Sequence, residues 1–228
     1  MSTILEMKNI NKIYGTTVKT QVLYDINLIV NQGSFNSIIG QSGSGKSTLM
    51  NIMGTLDTPT SGEIIVAGKS TSGMKASELA RYRNQSIGFV FQFHYLLPEF
   101  TALENVLMPY RIGHKTVTKE TMDRAKELMT LVGLEKVMNN NATQMSGGQQ
   151  QRTAIARALL NQPKMILADE PTGNLDSLST ETIYDLLRDI NERFGTTFII
   201  ITHDRRIAEK ADRIIEIADG RINLDVTR

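Results

Sequence analysis

Apolar positions along this chain follow two different periods, and the switches between them outline its elements. Over the first thirty or so residues apolar side chains return at short, strand-like intervals: Ile4, Met7, Ile10 and Ile13, then Val22-Leu23-Tyr24 and Ile26-Asn27-Leu28-Ile29-Val30. Phe35-Asn36-Ser37-Ile38-Ile39 reads as a further strand, and Lys46 to Met53 as a helix. The loop Asp57-Thr58-Pro59-Thr60-Ser61-Gly62 breaks the chain before a strand over Glu63 to Ala67, and another strand follows at Ile87 to Phe91.

From about Phe93 to Ala142 the pattern becomes helical and more polar. Met122, Ala125, Leu128, Met129 and Val132 share one helical face, with Thr118 as its cap and Gly133 just past its end. That methionine-bearing stripe reads as core packing, not as a cofactor contact. A helix is expected over Gln150 to Leu160. Met165-Ile166-Leu167-Ala168 and Thr197-Phe198-Ile199-Ile200-Ile201 are then continuous apolar runs, the mark of strands buried on both faces. Between them Ile183, Leu186, Leu187, Ile190 and Phe194 recur at helical spacing and stop at Gly195. Strands alternating with helices predict an α/β fold with a mostly parallel sheet, its functional groups beyond the carboxyl ends of the strands.

Composition narrows this picture only slightly. A chain of 228 residues suits one large domain, or a core with an inserted subdomain. No apolar run is long enough to span a bilayer. A formal net charge of +1 gives no general electrostatic case for nucleic acid or anionic lipid. With no cysteine, disulfides and thiolate metal sites are excluded. Met1 to Lys8 lacks the basic-then-apolar layout of a signal peptide, and no accessory domain is expected after Ile222. These features fit a soluble, cytosolic protein.

The chemistry is concentrated in Gly40-Gln41-Ser42-Gly43-Ser44-Gly45-Lys46-Ser47-Thr48, which fits the phosphate-cradling pattern GxxxxGK[ST] without a mismatch. Glycines let backbone N–H groups close around phosphates, Lys46 reaches the β- and γ-phosphates, and Ser47 offers a hydroxyl to Mg²⁺. The strand before it and the helix after it supply the context this loop needs. A second pair of glycines, in Ser146-Gly147-Gly148-Gln149, precedes the helix at Gln150. A serine cap followed by glycines leaves free N–H groups, hence either a second anion site or simply a well-capped helix. One nucleotide has no need of both loops of one chain, but two copies arranged head to tail could close a nucleotide between them.

The ordered set resembles the ATP-binding-cassette (ABC) ATPases over nearly the whole chain. After the phosphate loop come Gln92 at a strand end, the signature-like Met145-Ser146-Gly147-Gly148-Gln149, the acidic pair Asp169-Glu170, Asn174-Leu175-Asp176, and His203. The resemblance implies the P-loop ABC ATPase fold: one domain over 1–228, an N-terminal antiparallel β subdomain, and a helical subdomain inserted at about 93–160. It implies ATP and Mg²⁺ as cofactors. Asp169 would hold Mg²⁺, together with Ser47 and Gln92, and Glu170 would polarise the attacking water as general base. Gln92 would also sense a neighbouring subunit, and His203 would hydrogen-bond the γ-phosphate. Tyr14 would stack on adenine. Ser146, Gly147, Gly148 and Gln149 would meet the γ-phosphate across a homodimer, and Asp176 would link the two sites. Met145 replaces the usual leucine, and Asn36 puts an amide in an apolar strand that would need a partner if buried.

Finer details resemble the lipoprotein-release and macrolide-exporter type: Leu56 to Gly62, Phe89 to Val106, and Pro171 to Asp176. That implies a subunit on the cytoplasmic side of a membrane, docked on a separate permease with few helices and a large extracytoplasmic domain. Phe93-His94-Tyr95-Leu96-Leu97-Pro98 is either the permease contact or packing between subdomains. Export of amphiphilic peptides, lipoproteins or drugs is the leading use. The alternative is a clamp that regulates an extracytoplasmic partner, such as a cell-wall hydrolase, without transport. A role on DNA or ribosomes is disfavoured, since no long coiled coil or second cassette is present.

Overall fold

A computed structural model describes residues 2–114 and 116–228; Met1 and Lys115 lie outside the described residues. The chain opens with β1 (Thr3–Tyr14) and β2 (Thr20–Asn31), then β3 (Phe35–Ile39) and α1 (Lys46–Met53). There follow β4 (Ser61–Val66), β5 (Lys69–Ser70), α2 (Ala76–Ser86) and β6 (Ile87–Phe91). Next come α3 (Ala102–Gly113), α4 (Lys119–Leu131) and α5 (Gly147–Leu159), with short 3₁₀ turns between the last two. The chain continues through β7 (Met165–Asp169), α6 (Ser177–Phe194), β8 (Thr197–Ile201) and α7 (Arg205–Ala208) to β9 (Arg213–Ala218) and β10 (Arg221–Thr227).

Two sheets result. An antiparallel one has the order β2-β1-β4-β5, and a six-stranded one the order β10-β9-β3-β8-β7-β6. In the second, β9, β3, β8, β7 and β6 run parallel, and β10 closes the edge antiparallel. Period-two alternation explains why those strands are apolar throughout. Ile166 and Ala168, Phe198 and Ile200 face a core shared with α3 to α6, whereas Met165 and Leu167, Ile199 and Ile201 face α1 and the antiparallel sheet. Asn36 is fully buried, and its Nδ2 donates to Phe198 O and Ser34 Oγ at 2.9 and 2.8 Å, which satisfies the donor half of the amide and leaves Oδ1 buried without a partner.

The stretch from α3 to the turns after α4 is pinned at its base. Ala102 N donates to Asn140 O, Leu103 N to Met138 O, and Ala142 N to Phe100 O. Its helices share one apolar cluster with the large sheet, so the two are not separate cores.

Several boundaries differ from the sequence reading. Residues 93–101 are irregular, because His94 and Tyr95 take left-handed backbone conformations (φ 58° and 48°) that no helix accepts. The helix expected from Gln150 begins at Gly147, since Ser146 and Gln149 form a reciprocal capping box. Phe194, placed on the buried face, is half exposed, and Tyr184 and Asn191 are buried instead. The strand expected to reach Ala67 ends at Val66, where Ala67 turns left-handed at φ 48°. Thr118 and Gly133 do bracket α4 as its cap and its left-handed terminus.

Candidate active site

The parallel register lines up Phe91, Asp169, Ile201 and Ile38 in one row across four strands. Whatever follows each of them must leave the sheet along the same edge. Gln92, Glu170, Thr202-His203 and the loop from Gly40 do so, and they surround a cleft of about 460 Å³. Val22 and Ile201 give it apolar walls, while Ser42, Gly43, Lys46, Ser47, Thr48 and Asp169 supply polar ones.

Two glycines allow the loop its path. Gly40 has φ 156°, and a Cβ there would lie 2.2 Å from Ile217 O; Gly45 has φ 104° and directly precedes α1. No side chain caps α1, and its first turn holds no acidic residue, so the N–H groups at its start are free for an anion. Lys46 Nζ donates to Gly40 O and Gln41 O, both at 2.7 Å, which holds the ammonium folded back over the loop.

On the far side of the cleft, burial raises the Asp169 carboxyl above its ordinary range. The neighbouring Glu170 charge raises it further, and Lys46 opposes both. Glu170 itself sits at φ 45°, with its N–H on Ile201 O at 2.9 Å. A left-handed non-glycine residue is unfavourable by roughly 1–2 kcal/mol, so its neighbours must hold it there. Its Oε1 lies 2.8 Å from His203 Nδ1. His203, expected to bond a γ-phosphate, pairs with the Glu170 carboxylate. Gln92 and Asn174 are joined twice, Gln92 Nε2 to Asn174 Oδ1 and Asn174 Nδ2 to Gln92 O, each 3.1 Å.

The Ser47 hydroxyl, Asp169 carboxylate and Gln92 amide oxygen all line this one cleft, an oxygen set that suits a hard cation such as Mg²⁺. Among the described residues no three His, Cys, Asp or Glu side chains cluster as a self-sufficient metal centre. A cation here would complete its coordination with phosphate oxygens and water.

The remaining sequence-marked residues lie elsewhere. Ser146 Oγ caps Gln149 N at 3.4 Å, and Ser146 N donates to Gln149 Oε1 at 2.9 Å. Gly147 and Gly148 approach Leu175 and Ser179, away from the cleft. Asp176 caps α6 by accepting from Ser179 N and Oγ at 2.9 and 2.8 Å. Tyr14, at the end of β1, is 40% exposed; its phenol donates to Asp57 Oδ2 at 2.8 Å and has the Thr48 side chain beside it. Sequence reading passed over Lys12 and Asp57, which hold this tyrosine, and Arg157, which donates to His94 O and Tyr95 O, both at 2.6 Å.

A second depression of about 410 Å³ is largely apolar. Leu56, Phe89, Phe91, Met108 and Ile112 line it, together with Arg157. The adjoining turn exposes Phe93 and Tyr95, 65% and 63% accessible, while His94 between them is buried. No helix of the described residues is long and apolar enough to cross a membrane.

Comparison with known proteins places this geometry. The family model described as ABC transporter matches residues 23–173. The lipoprotein-releasing system ATP-binding protein LolD 1 of Rhodopseudomonas palustris is 48% identical over 224 residues, 97% of this chain and 99% of that protein. The lipoprotein-releasing system ATP-binding protein LolD of Anaeromyxobacter dehalogenans is 49% identical, covering 97% of this chain and 93% of its own. Among solved structures, the ATP-binding cassette MJ0796, a dimer in a post-hydrolysis state bound to ADP and Pi, superposes with a TM-score of 0.89 at 42% identity, covering 98% of each chain.

Proposed function

The chain belongs to the ABC transporter family and is an ATP-hydrolysing subunit, and from that premise we propose that it drives release or export of lipoproteins or similar amphiphiles through a separate permease. The observation that carries the reading is the split of functional groups within one chain. Lys46, Ser47, Gln92, Asp169, Glu170 and His203 share a cleft, while Ser146 to Gln149 and Asp176 are not among the residues that line it. A second copy, turned head to tail, brings its serine–glycine tip onto the triphosphate held by the first. Closure then favours one permease state, because it adds binding energy to that state alone.

Within the cleft each side chain has one task. The free N–H groups at the start of α1 and the Lys46 ammonium hold the phosphates. Ser47, Asp169 and Gln92 would hold a Mg²⁺, which would neutralise phosphate charge. Glu170 takes the proton of the attacking water, and His203 moves from Glu170 to the γ-phosphate when ATP arrives. Tyr14 stacks on the adenine. The apolar depression beside Phe93 and Tyr95 receives the permease, which keeps the subunit on the cytoplasmic face of the membrane. Support comes from exposed aromatics next to Gln92, the residue able to report docking to the cleft.

The test is reconstitution with its permease partner. ATP-dependent release of a lipid-modified protein from proteoliposomes supports transport. ATP turnover coupled only to activation of an extracytoplasmic hydrolase, with no lipid-modified protein released, refutes it in favour of the regulatory clamp.

A further inference from the structure

A stacking platform has to be held still, and a buried cation lies directly behind this one. Lys12 Nζ sits 4.7 Å from the centroid of the Tyr14 ring, although Lys12 is only 8% exposed. The ammonium donates to Asp57 Oδ1 at 2.6 Å and to Thr58 O at 2.7 Å. Asp57 Oδ2 accepts from the Tyr14 hydroxyl at 2.8 Å, and Oδ1 also accepts from Thr58 N at 2.7 Å. The three side chains thus form a closed triangle, ring, ammonium and carboxylate, in which every polar end is paired. Partial burial pushes the Asp57 carboxyl up, but the hydrogen bonds from Lys12, Tyr14 and Thr58 outweigh it and hold the group below its ordinary range.

We propose that Lys12 and Asp57 are positioning residues for the nucleotide base: Lys12, clamped by Asp57, backs one face of the Tyr14 ring and leaves the other face for the purine. The inference rests on Tyr14 being the base platform. A tyrosine free to swing at the end of β1 would have to be ordered each time a nucleotide bound, whereas here the ordering is built into the fold. Losing that preorganisation reads as roughly a 2- to 10-fold weaker affinity. Stacking contacts a base by its face, not its edge, so ATP and GTP should respond alike.

The experiment uses the full-length chain with Lys12→Met, Lys12→Arg, Asp57→Asn and Tyr14→Ala, titrated calorimetrically with ATP, GTP and inorganic tripolyphosphate. Lys12→Met and Asp57→Asn are expected to weaken ATP and GTP binding roughly 2- to 10-fold, to leave tripolyphosphate binding in place, and to show in KM and not in kcat. Lys12→Arg should restore affinity, since a guanidinium also packs over a ring. Lys12→Met added to Tyr14→Ala should weaken ATP no further. If Tyr14→Ala alone leaves ATP affinity unchanged, the platform reading itself fails. If Tyr14→Ala weakens ATP while Lys12→Met does not, only the positioning inference falls. Equal loss of tripolyphosphate and ATP in Lys12→Met would show a brace for the fold and overturn it as well.

Discussion

His203 Nδ1 lies 2.8 Å from Oε1 of Glu170, so the imidazole from the end of β8 is bonded to the carboxylate that follows β7. The pairing occupies one lone pair of the Glu170 carboxylate, whose residue has a left-handed backbone. Replacing Glu170 with Gln keeps a hydrogen-bonding partner for His203 but removes the proton acceptor. Glu170→Gln should bind ATP with near-native affinity and hydrolyse it about 100- to 10,000-fold more slowly. Gel filtration with ATP should then show a trapped dimer. Native phosphate release by this variant would mean that another group is the base.

Lys46 offers a second test. Its ammonium donates only to two carbonyls of its own loop, so Lys46→Ala should leave the fold intact. Loss of the Lys46 ammonium, the one lysine among the described residues that lines the cleft, should cut ATP affinity by at least about tenfold, as a charged hydrogen bond is worth roughly 1.5–3 kcal/mol. Calorimetric titration, with circular dichroism as the control, reads both.

Asp169 should exchange stability for function. Its carboxyl is raised above the unfolded value by burial and by Glu170, so the folded state binds its proton more tightly than the unfolded state does. Ionisation therefore destabilises the fold: the effect is absent in acid below the unfolded pKa and complete above the folded one. Asp169→Asn should raise the thermal midpoint of the nucleotide-free chain at neutral pH, by about 2–4 °C for each kcal/mol regained. The gain should vanish as the pH falls below the ordinary aspartate range. Hydrolysis should be lost throughout. A lower midpoint at neutral pH would contradict the sign.

Gly173 controls where Gln92 can lie. A Cβ at Gly173 would stand 2.8 Å from Gln92 Nε2 and 3.1 Å from its Cδ. The amide can swing away, so Gly173→Ala should keep stability within about 0.5 kcal/mol, as for substitutions that meet only a movable side chain. The bond from Gln92 Nε2 to Asn174 Oδ1 should break, while that from Asn174 Nδ2 to the backbone carbonyl of Gln92 stays, and steady-state hydrolysis should fall severalfold. Unaltered turnover would show that the Gln92–Asn174 pair has no part in arranging the cleft.

The elements legible in the sequence are those whose burial is uniform. β3, β6, β7 and β8 are nearly continuous apolar runs, and their last residues deliver Gln92, Glu170 and His203 to one edge. α2 gave no periodic signal because it buries no residue at all. The β9–β10 hairpin was passed over although Asp219-Gly220, both at positive φ, is the turn chemistry that marks such a hairpin. Contacts between distant residues were invisible. Nothing local ties Lys12 to Asp57, or Arg157 to the carbonyls of His94 and Tyr95.

Arg157 lies toward the far end of α5, whose opening turn carries Ser146, Gly147 and Gly148. At about 1.5 Å per residue the two are separated by roughly 16 Å of uninterrupted helix. A stiff rod gripping an exposed aromatic turn at one end and carrying the Ser146 cap at the other transmits displacement without any hinge between them. On the proposed function, pressing on Phe93 and Tyr95 from outside and drawing Ser146 toward a second copy would be a single movement of one lever.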